Sequence, residues 1–205
     1  MNLILISLLA YLLGSIPTAW ILGKILKGKT YDIRAHGSGN VGTTNVIRNL
    51  GWSAGIITFV VDALKGFAVV FWLPVLLKDS MGPESAKVLL ASMALIGHTF
   101  PVFINFRGGK GVATTAGIIF AFRWDIGLIC MAAFIVALLL SRQSGVGSIA
   151  ASFMFAIVNL FYKYVFNIAI PAEMFWFSLA IPLFIVFTHR ANISKIIWGV
   201  NKKDF

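Results

Sequence analysis

Seven apolar stretches fill most of the chain and leave its backbone few options. They cover residues 2–22, 53–77, 87–104, 111–122, 124–140, 146–166 and 172–188. About 20 apolar residues in a helix span the hydrocarbon of a bilayer, where a backbone must satisfy its own hydrogen bonds. The expected fold is therefore an all-α integral membrane protein, a bundle of seven transmembrane helices. The fourth stretch, about twelve residues long, is the weakest of the seven and reads as a partial span. Pro17, Pro74, Pro101 and Pro182 fall inside or at the ends of these stretches, which neighbouring helices make tolerable. Composition agrees. The chain is 59% hydrophobic and 12% charged, with mean hydropathy +0.91, where a soluble domain is roughly 45–50% apolar and 25% charged. One multi-pass membrane domain, residues 1–205, accounts for it. The first stretch has no basic segment before it and reads as a retained span rather than a secretory signal.

The basic residues orient the bundle. Twelve of the 17 Lys and Arg lie in the connections after odd-numbered stretches or in the tail: Lys24, Lys27, Lys29, Arg34, Arg48, Arg107, Lys110, Arg142, Arg190, Lys195, Lys202 and Lys203. The other side holds Lys78, Lys87, Arg123 and Lys163, and Lys65 is within a span. The positive-inside rule then makes the first set cytoplasmic, with the N-terminus outside and the C-terminus inside. Trp20, Trp52, Trp124 and Trp198 near span ends fit interfacial anchoring. The net charge of +10 is explained by topology and by anionic membrane lipids. No nucleic-acid-binding motif is present, so no nucleic-acid partner is expected.

Three polar clusters interrupt the hydrocarbon, all on the expected cytoplasmic face. The first, residues 37–48 (GSGNVGTTNVIR), supplies Gly37 and Gly39 for close backbone approach to an anion. It adds hydrogen-bonding groups from Ser38, Asn40, Thr43, Thr44 and Asn45, and Arg48 offers a planar fork for phosphate. The second, Gly108, Gly109, Lys110 and Gly111, opens an apolar run, and a glycine loop with a lysine at a helix N-terminus suits anions. In the third, His189 and Asn192 share one face of a helix end. The first cluster could instead be an ordinary flexible loop, and the second a tight turn, whose basic residues only set orientation. Asp62 and Lys65 lie three residues apart inside the second span. They are either a self-neutralising packing pair or a functional pair that adds positive charge to the site. His98 reads equally as a structural hydrogen bonder or a substrate contact, and His36 as solvated.

Several chemistries are excluded. The pattern G-x-G-x-x-G at Gly37–Gly42 has no preceding strand and no acidic residue at the ribose-binding offset. Gly109-Lys110 is not a nucleotide-binding loop, because Ile104 and Gly111 occupy the places of its first glycine and its Ser or Thr. No zinc signature, cysteine–histidine cluster or G-x-S-x-G elbow occurs, and Cys130 is the only cysteine. No histidine is followed by an aspartate five positions on, and seven acidic residues leave little for two-metal chemistry. No metal and no cofactor is expected.

With its AYLLGSIPTAW, HGSGNVGTTNVIR, DALKG, GHTFPVF, FRGGKGVAT and HRANI segments in that order, the chain resembles the bacterial acyl-phosphate-dependent glycerol-3-phosphate acyltransferases over essentially its whole length. The resemblance implies transfer of a fatty acyl group from acyl phosphate to the 1-hydroxyl of glycerol 3-phosphate, giving lysophosphatidic acid and inorganic phosphate for phospholipid synthesis. It implies a home in the bacterial cytoplasmic membrane and a functional link to an enzyme that makes acyl phosphate. It assigns catalysis to Ser38, Arg48, Lys110, His189 and Asn192. Substrate phosphate binding falls to Gly37, Gly39, Asn40, Thr43, Thr44, Asn45, Gly108, Gly109 and Gly111, with Lys65 and His98 added from the residues themselves. An acyl phosphate is already activated, so no covalent acyl-enzyme is expected. The main alternative is a transporter for phosphate or a phosphorylated metabolite, which would need polar residues across the midplane. An acyltransferase using acyl-CoA or acyl carrier protein is a further one.

Overall fold

The computed structural model describes residues 3–197, with side chains to Ser194. Among these residues there are ten α-helices and no strand. They are α1 Leu3–Ser15, α2 Thr18–Lys27, α3 Thr43–Leu50, α4 Trp52–Trp72, α5 Pro83–Thr99, α6 Val112–Phe122, α7 Trp124–Ser141, α8 Ser144–Tyr164, α9 Ala172–Thr188 and α10 Arg190–Ile197. Every apolar stretch read from the sequence is helical. Among the described residues, five segments are long and apolar enough to cross a membrane: Leu3–Lys27, Trp52–Leu77, Pro83–Ile104, Trp124–Ser141 and Ser144–Tyr164. Helices α6 and α9 are apolar but shorter, with 11 and 17 residues. Exposed Leu, Ile, Phe and Trp cover the outer helix faces, with Leu140 82% and Leu183 72% exposed. That exterior suits hydrocarbon and makes this a multi-pass membrane protein. Trp198, Lys202 and Lys203 lie outside the described residues.

The chain forms two compact units that divide between Ile118 and Ile119. In the first, helices approach through small residues. A Cβ on Gly14 would collide with the Ala94 backbone, and one on Gly97 with the Tyr11 carbonyl, so α1 and α5 cross nearly backbone to backbone. Gly66 meets Thr114 and Gly117 meets Ala63 in the same way, which joins α4 to the short α6. Lipid tails are as apolar as leucine, so membrane helices associate by such close packing rather than by hydrophobic expulsion. A core of Ile6, Ala10, Val69, Leu77, Ala86, Leu90 and Ala94 fills the space between α1, α4 and α5. A second cluster (Ala19, Ile33, Val41, Val46, Ala54 and Ile104) supports the polar segment that follows α2.

The first apolar stretch is not one helix. Pro17 has no N–H and cannot continue the ladder, so the chain breaks between α1 and α2, and Ile21 N–H restarts on the Pro17 carbonyl at 3.0 Å. The polar segment is likewise not all loop, since its second half is α3, an amphipathic helix that buries Asn45 and Val46.

In the second unit, α7 and α8 form an antiparallel hairpin. Arg142, in the left-handed conformation at φ 56°, makes the turn, and its N–H caps the Leu138 carbonyl at 2.7 Å. At the far end, Tyr162 Oη donates to Asp125 Oδ2 at 3.1 Å. Helix α9 returns along α8, with Phe175 stacked edge-on against Tyr164 at 6.0 Å.

Candidate functional site

The first glycine cluster is a folded loop held by one side chain. Asn45, in the first turn of α3 and 1% exposed, reaches back into the segment before it. Its Nδ2 lies 3.0 Å from the His36 carbonyl, 3.0 Å from that of Asn40 and 3.3 Å from that of Ile33. Its Oδ1 accepts from the Ser38 amide at 2.9 Å and from Asn49 Nδ2 at 3.0 Å. Gly37 is required twice over, because its φ is +58° and a Cβ would strike Asn45 Oδ1. Asn45 was expected to contact phosphate directly; the structure instead commits its carboxamide to shaping the loop. Ser38 and Arg48 remain exposed, and Thr43 and Thr44 form the N-terminal turn of α3. Upstream, Arg34 donates to the Ile104 carbonyl at 2.8 Å and pairs with Asp32 at 2.6 Å. That guanidinium holds the Asp32 carboxyl well below its usual range, at about 2. His36 is exposed as expected, but its ring stacks flat on Tyr31 at 4.5 Å.

The second glycine cluster is anchored to the end of α5. The Gly108 amide donates to the Thr99 carbonyl and the Gly109 amide to that of His98, both at 3.1 Å. These satisfy carbonyls that a helix C-terminus leaves open. Neither position has room for a Cβ, which would collide with the His98 carbonyl at Gly108 and with His98 Nε2 at Gly109. The expectation that both amides face an anion is therefore revised, since these two donors are spent inside the protein. Beyond them, Gly111 at φ +83° turns the chain into α6, and Lys110 is half-buried.

Between the loops lies a buried polar cluster in which Asp62 is 2%, Lys65 9% and His98 7% exposed. Lys65 Nζ is 2.8 Å from Asp62 Oδ1 and donates to the Ile16 carbonyl at 3.0 Å. Thr18 Oγ1 donates to the same Asp62 oxygen at 3.0 Å. His98 Nδ1 stands 3.9 Å from that oxygen and has no hydrogen-bond partner. A small cleft is lined by these side chains, by Val41 of the first loop and by Gly108 and Gly109 of the second. The first unit thus brings Val41 of the first glycine segment, Gly108 and Gly109 of the second, Lys65 and His98 to one cleft, whose lining does not include Ser38, Arg48 or Lys110. Thr18 and the Ile16 carbonyl escaped sequence reasoning; the only available signal was Pro17 next to them.

The third cluster belongs to the second unit. His189 ends α9, is 2% exposed, and has Nδ1 2.8 Å from the Ile185 carbonyl. A carbonyl can only accept, so Nδ1 carries the proton and Nε2 is the acceptor in the neutral ring. The Asn192 amide donates to the His189 carbonyl at 2.8 Å, and the first turn of α8 passes close enough that a Cβ on Gly145 would lie 3.2 Å from Asn192 Nδ2 and 3.5 Å from the His189 ring.

Comparison with known proteins identifies the family. The sequence profile of the family described as glycerol-3-phosphate acyltransferase matches residues 4–199. A glycerol-3-phosphate acyltransferase from Endomicrobium trichonymphae is 42% identical over 195 residues, covering 95% of this chain and 92% of the relative. One from Listeria monocytogenes is 41% identical over 202 residues, covering 98% and 96%. Among solved structures, the glycerol 3-phosphate form of PlsY (YgiH), an integral membrane glycerol 3-phosphate acyltransferase, superposes with TM-score 0.80 at 33% identity, covering 96% of this chain and 92% of PlsY. Its lysophosphatidic acid form gives TM-score 0.78. With a profile match and relatives that extend over nearly its full length, this chain belongs to the glycerol-3-phosphate acyltransferase family.

Proposed function

We propose that the protein transfers an acyl group from acyl phosphate to the 1-hydroxyl of glycerol 3-phosphate, releasing lysophosphatidic acid and inorganic phosphate. The observation that carries this reading is the buried cluster in the first unit, where Lys65 and His98 line one cavity with both glycine segments. The forms in which PlsY was solved, with glycerol 3-phosphate and with lysophosphatidic acid, support the acceptor and the product. Acyl phosphate as donor rests on the chemistry. It already carries a good leaving group, so the protein needs only to hold two phosphorylated molecules and stabilise developing charge. The acceptor oxygen attacks the carbonyl carbon, the bond to the phosphate oxygen breaks, and the departing phosphate takes the hydroxyl proton. No covalent acyl-enzyme forms.

In this reading Arg48 and Lys110 bind phosphate, and Ser38, His189 and Asn192 keep the catalytic roles that the family resemblance implies. Gly39, Asn40, Thr43, Thr44, Gly111, Lys65 and His98 contribute phosphate contacts. Asn45, Gly37, Gly108 and Gly109 give the loops their shape. The bundle has seven spans, with its N-terminus outside and its C-terminus in the cytoplasm of a bacterial cell, and the reaction takes place at the cytoplasmic face of the inner membrane. There an acyl-phosphate-forming enzyme supplies the donor. The deciding experiment incubates purified protein with glycerol 3-phosphate and either palmitoyl phosphate or palmitoyl-CoA, and follows phosphate release and lipid product. Product from palmitoyl phosphate alone is expected; product from palmitoyl-CoA alone would overturn the donor assignment.

A further inference from the structure

The Asp62 carboxylate is the centre of a seat built from two separate pieces of chain, α4 and the α1–α2 break. Its Oδ1 receives Lys65 Nζ at 2.8 Å and Thr18 Oγ1 at 3.0 Å. The Ile16 carbonyl, at the Pro17 break, takes a second hydrogen bond from the same ammonium at 3.0 Å. An ammonium has three N–H donors in fixed directions. With two held by acceptors on α4 and on the α1–α2 break, the direction of the third is set, and Lys65 lines the cavity together with Gly108 and Gly109. His98 lines the same cavity, and its buried Nδ1 has no partner.

We propose that Asp62 is a positioning residue. With Thr18 and the carbonyl at the break in the first span, it fixes the Lys65 ammonium toward a phosphate of a bound substrate. The inference rests on the acyl-transfer reading above and adds residues that touch no substrate themselves. It also gives the Pro17 break a purpose, because a continuous first helix would keep the Ile16 carbonyl in its own ladder.

Removing one partner of a buried ion pair leaves an uncompensated charge and endangers folding, whereas replacing both restores a neutral interior. The test therefore uses Asp62→Asn/Lys65→Met beside Lys65→Met and Thr18→Val, with palmitoyl phosphate and glycerol 3-phosphate as substrates. The double variant is expected to unfold within a few degrees of wild type, yet to lose at least about 100-fold in kcat/KM, no more than Lys65→Met alone loses. Thr18→Val keeps both charges. It is expected to raise the KM for one phosphorylated substrate several-fold, with kcat and unfolding temperature little changed. Wild-type turnover in the double variant, a further loss beyond that of Lys65→Met, or an unmoved KM in Thr18→Val would each overturn the proposal while the reaction itself stands. A wild-type protein that transfers no acyl group overturns the underlying reading and this inference with it.

Discussion

Replacing Asn45 with alanine tests whether the first glycine segment is a folded loop or a flexible one that tightens only on substrate. The carboxamide ties α3 to the preceding loop through Nδ2, whose two protons serve the carbonyls of Ile33, His36 and Asn40, and through Oδ1, which accepts from the Ser38 amide. That amounts to three full hydrogen bonds. Each contributes about 0.5–1.5 kcal/mol net, and Ser38 and His36 are exposed, so water replaces part of what is lost. A sum of about 2–3 kcal/mol follows, which corresponds to a roughly 30- to 140-fold change in the population of the closed loop. Hydrogen exchange of the Ser38 amide should accelerate by that factor in Asn45→Ala, and kcat/KM should fall in parallel, while helices α4 and α5 exchange as before. Asn45→Asp should be at least as damaging, because a carboxylate would face three carbonyl oxygens. Unchanged exchange at Ser38 with lost activity, or full tolerance of the Asn45→Asp substitution, would refute the staple and return Asn45 to direct substrate contact.

Other outcomes are equally specific. Gly97→Leu, which drives a side chain into the Tyr11 and Ser15 backbone, should cost about 2–3 kcal/mol or more in unfolding measurements, whereas Gly82→Ala, with open space around it, should be silent. Lys110→Ala should cut turnover severely while expression and membrane insertion stay normal, as judged by yield and extraction in detergent. Cys130→Ala should keep nearly full turnover, since the proposed reaction passes through no thioester. The Asp32 pair sets an acid limit. Its folded pKa of about 2 is below the unfolded value near 3.9, so its stabilisation is complete above about pH 5 and is lost progressively as pH falls to 2 and below. Amide protection around residues 32–35, corrected for intrinsic exchange, should be flat from about pH 8 to 5 and decline below that.

The helices were legible because hydrocarbon length and continuity carry the signal directly, and all seven apolar stretches are helical. Their interruptions were less visible. Pro17 pointed to tolerance within a span, but whether it kinks or breaks a helix depends on what receives the freed carbonyl, and that is Lys65, 49 residues away. Helix α3 was hidden because its eight residues are polar on one face and follow four glycines and asparagines that read as loop. The glycines of both clusters were read as room for an anion. At Gly108 and Gly109 the space is taken by His98, a neighbour that no local pattern names. The loop-shaping role of Asn45 was hidden for the same reason, since its partners are backbone atoms 5 to 12 residues upstream. The Asp62–Lys65 pair was recognised from spacing alone, because i and i+3 on one helix are adjacent whatever surrounds them.

That last feature also matters before the protein is finished. During biogenesis α4 must enter the bilayer as a single segment, and an isolated Asp or Lys at a helix centre costs about 2.5–3.5 kcal/mol on insertion scales. Because the two groups neutralise each other within one turn of the same helix, the segment can be handed to lipid as an electrically balanced rod before α1 or α5 has arrived to meet it.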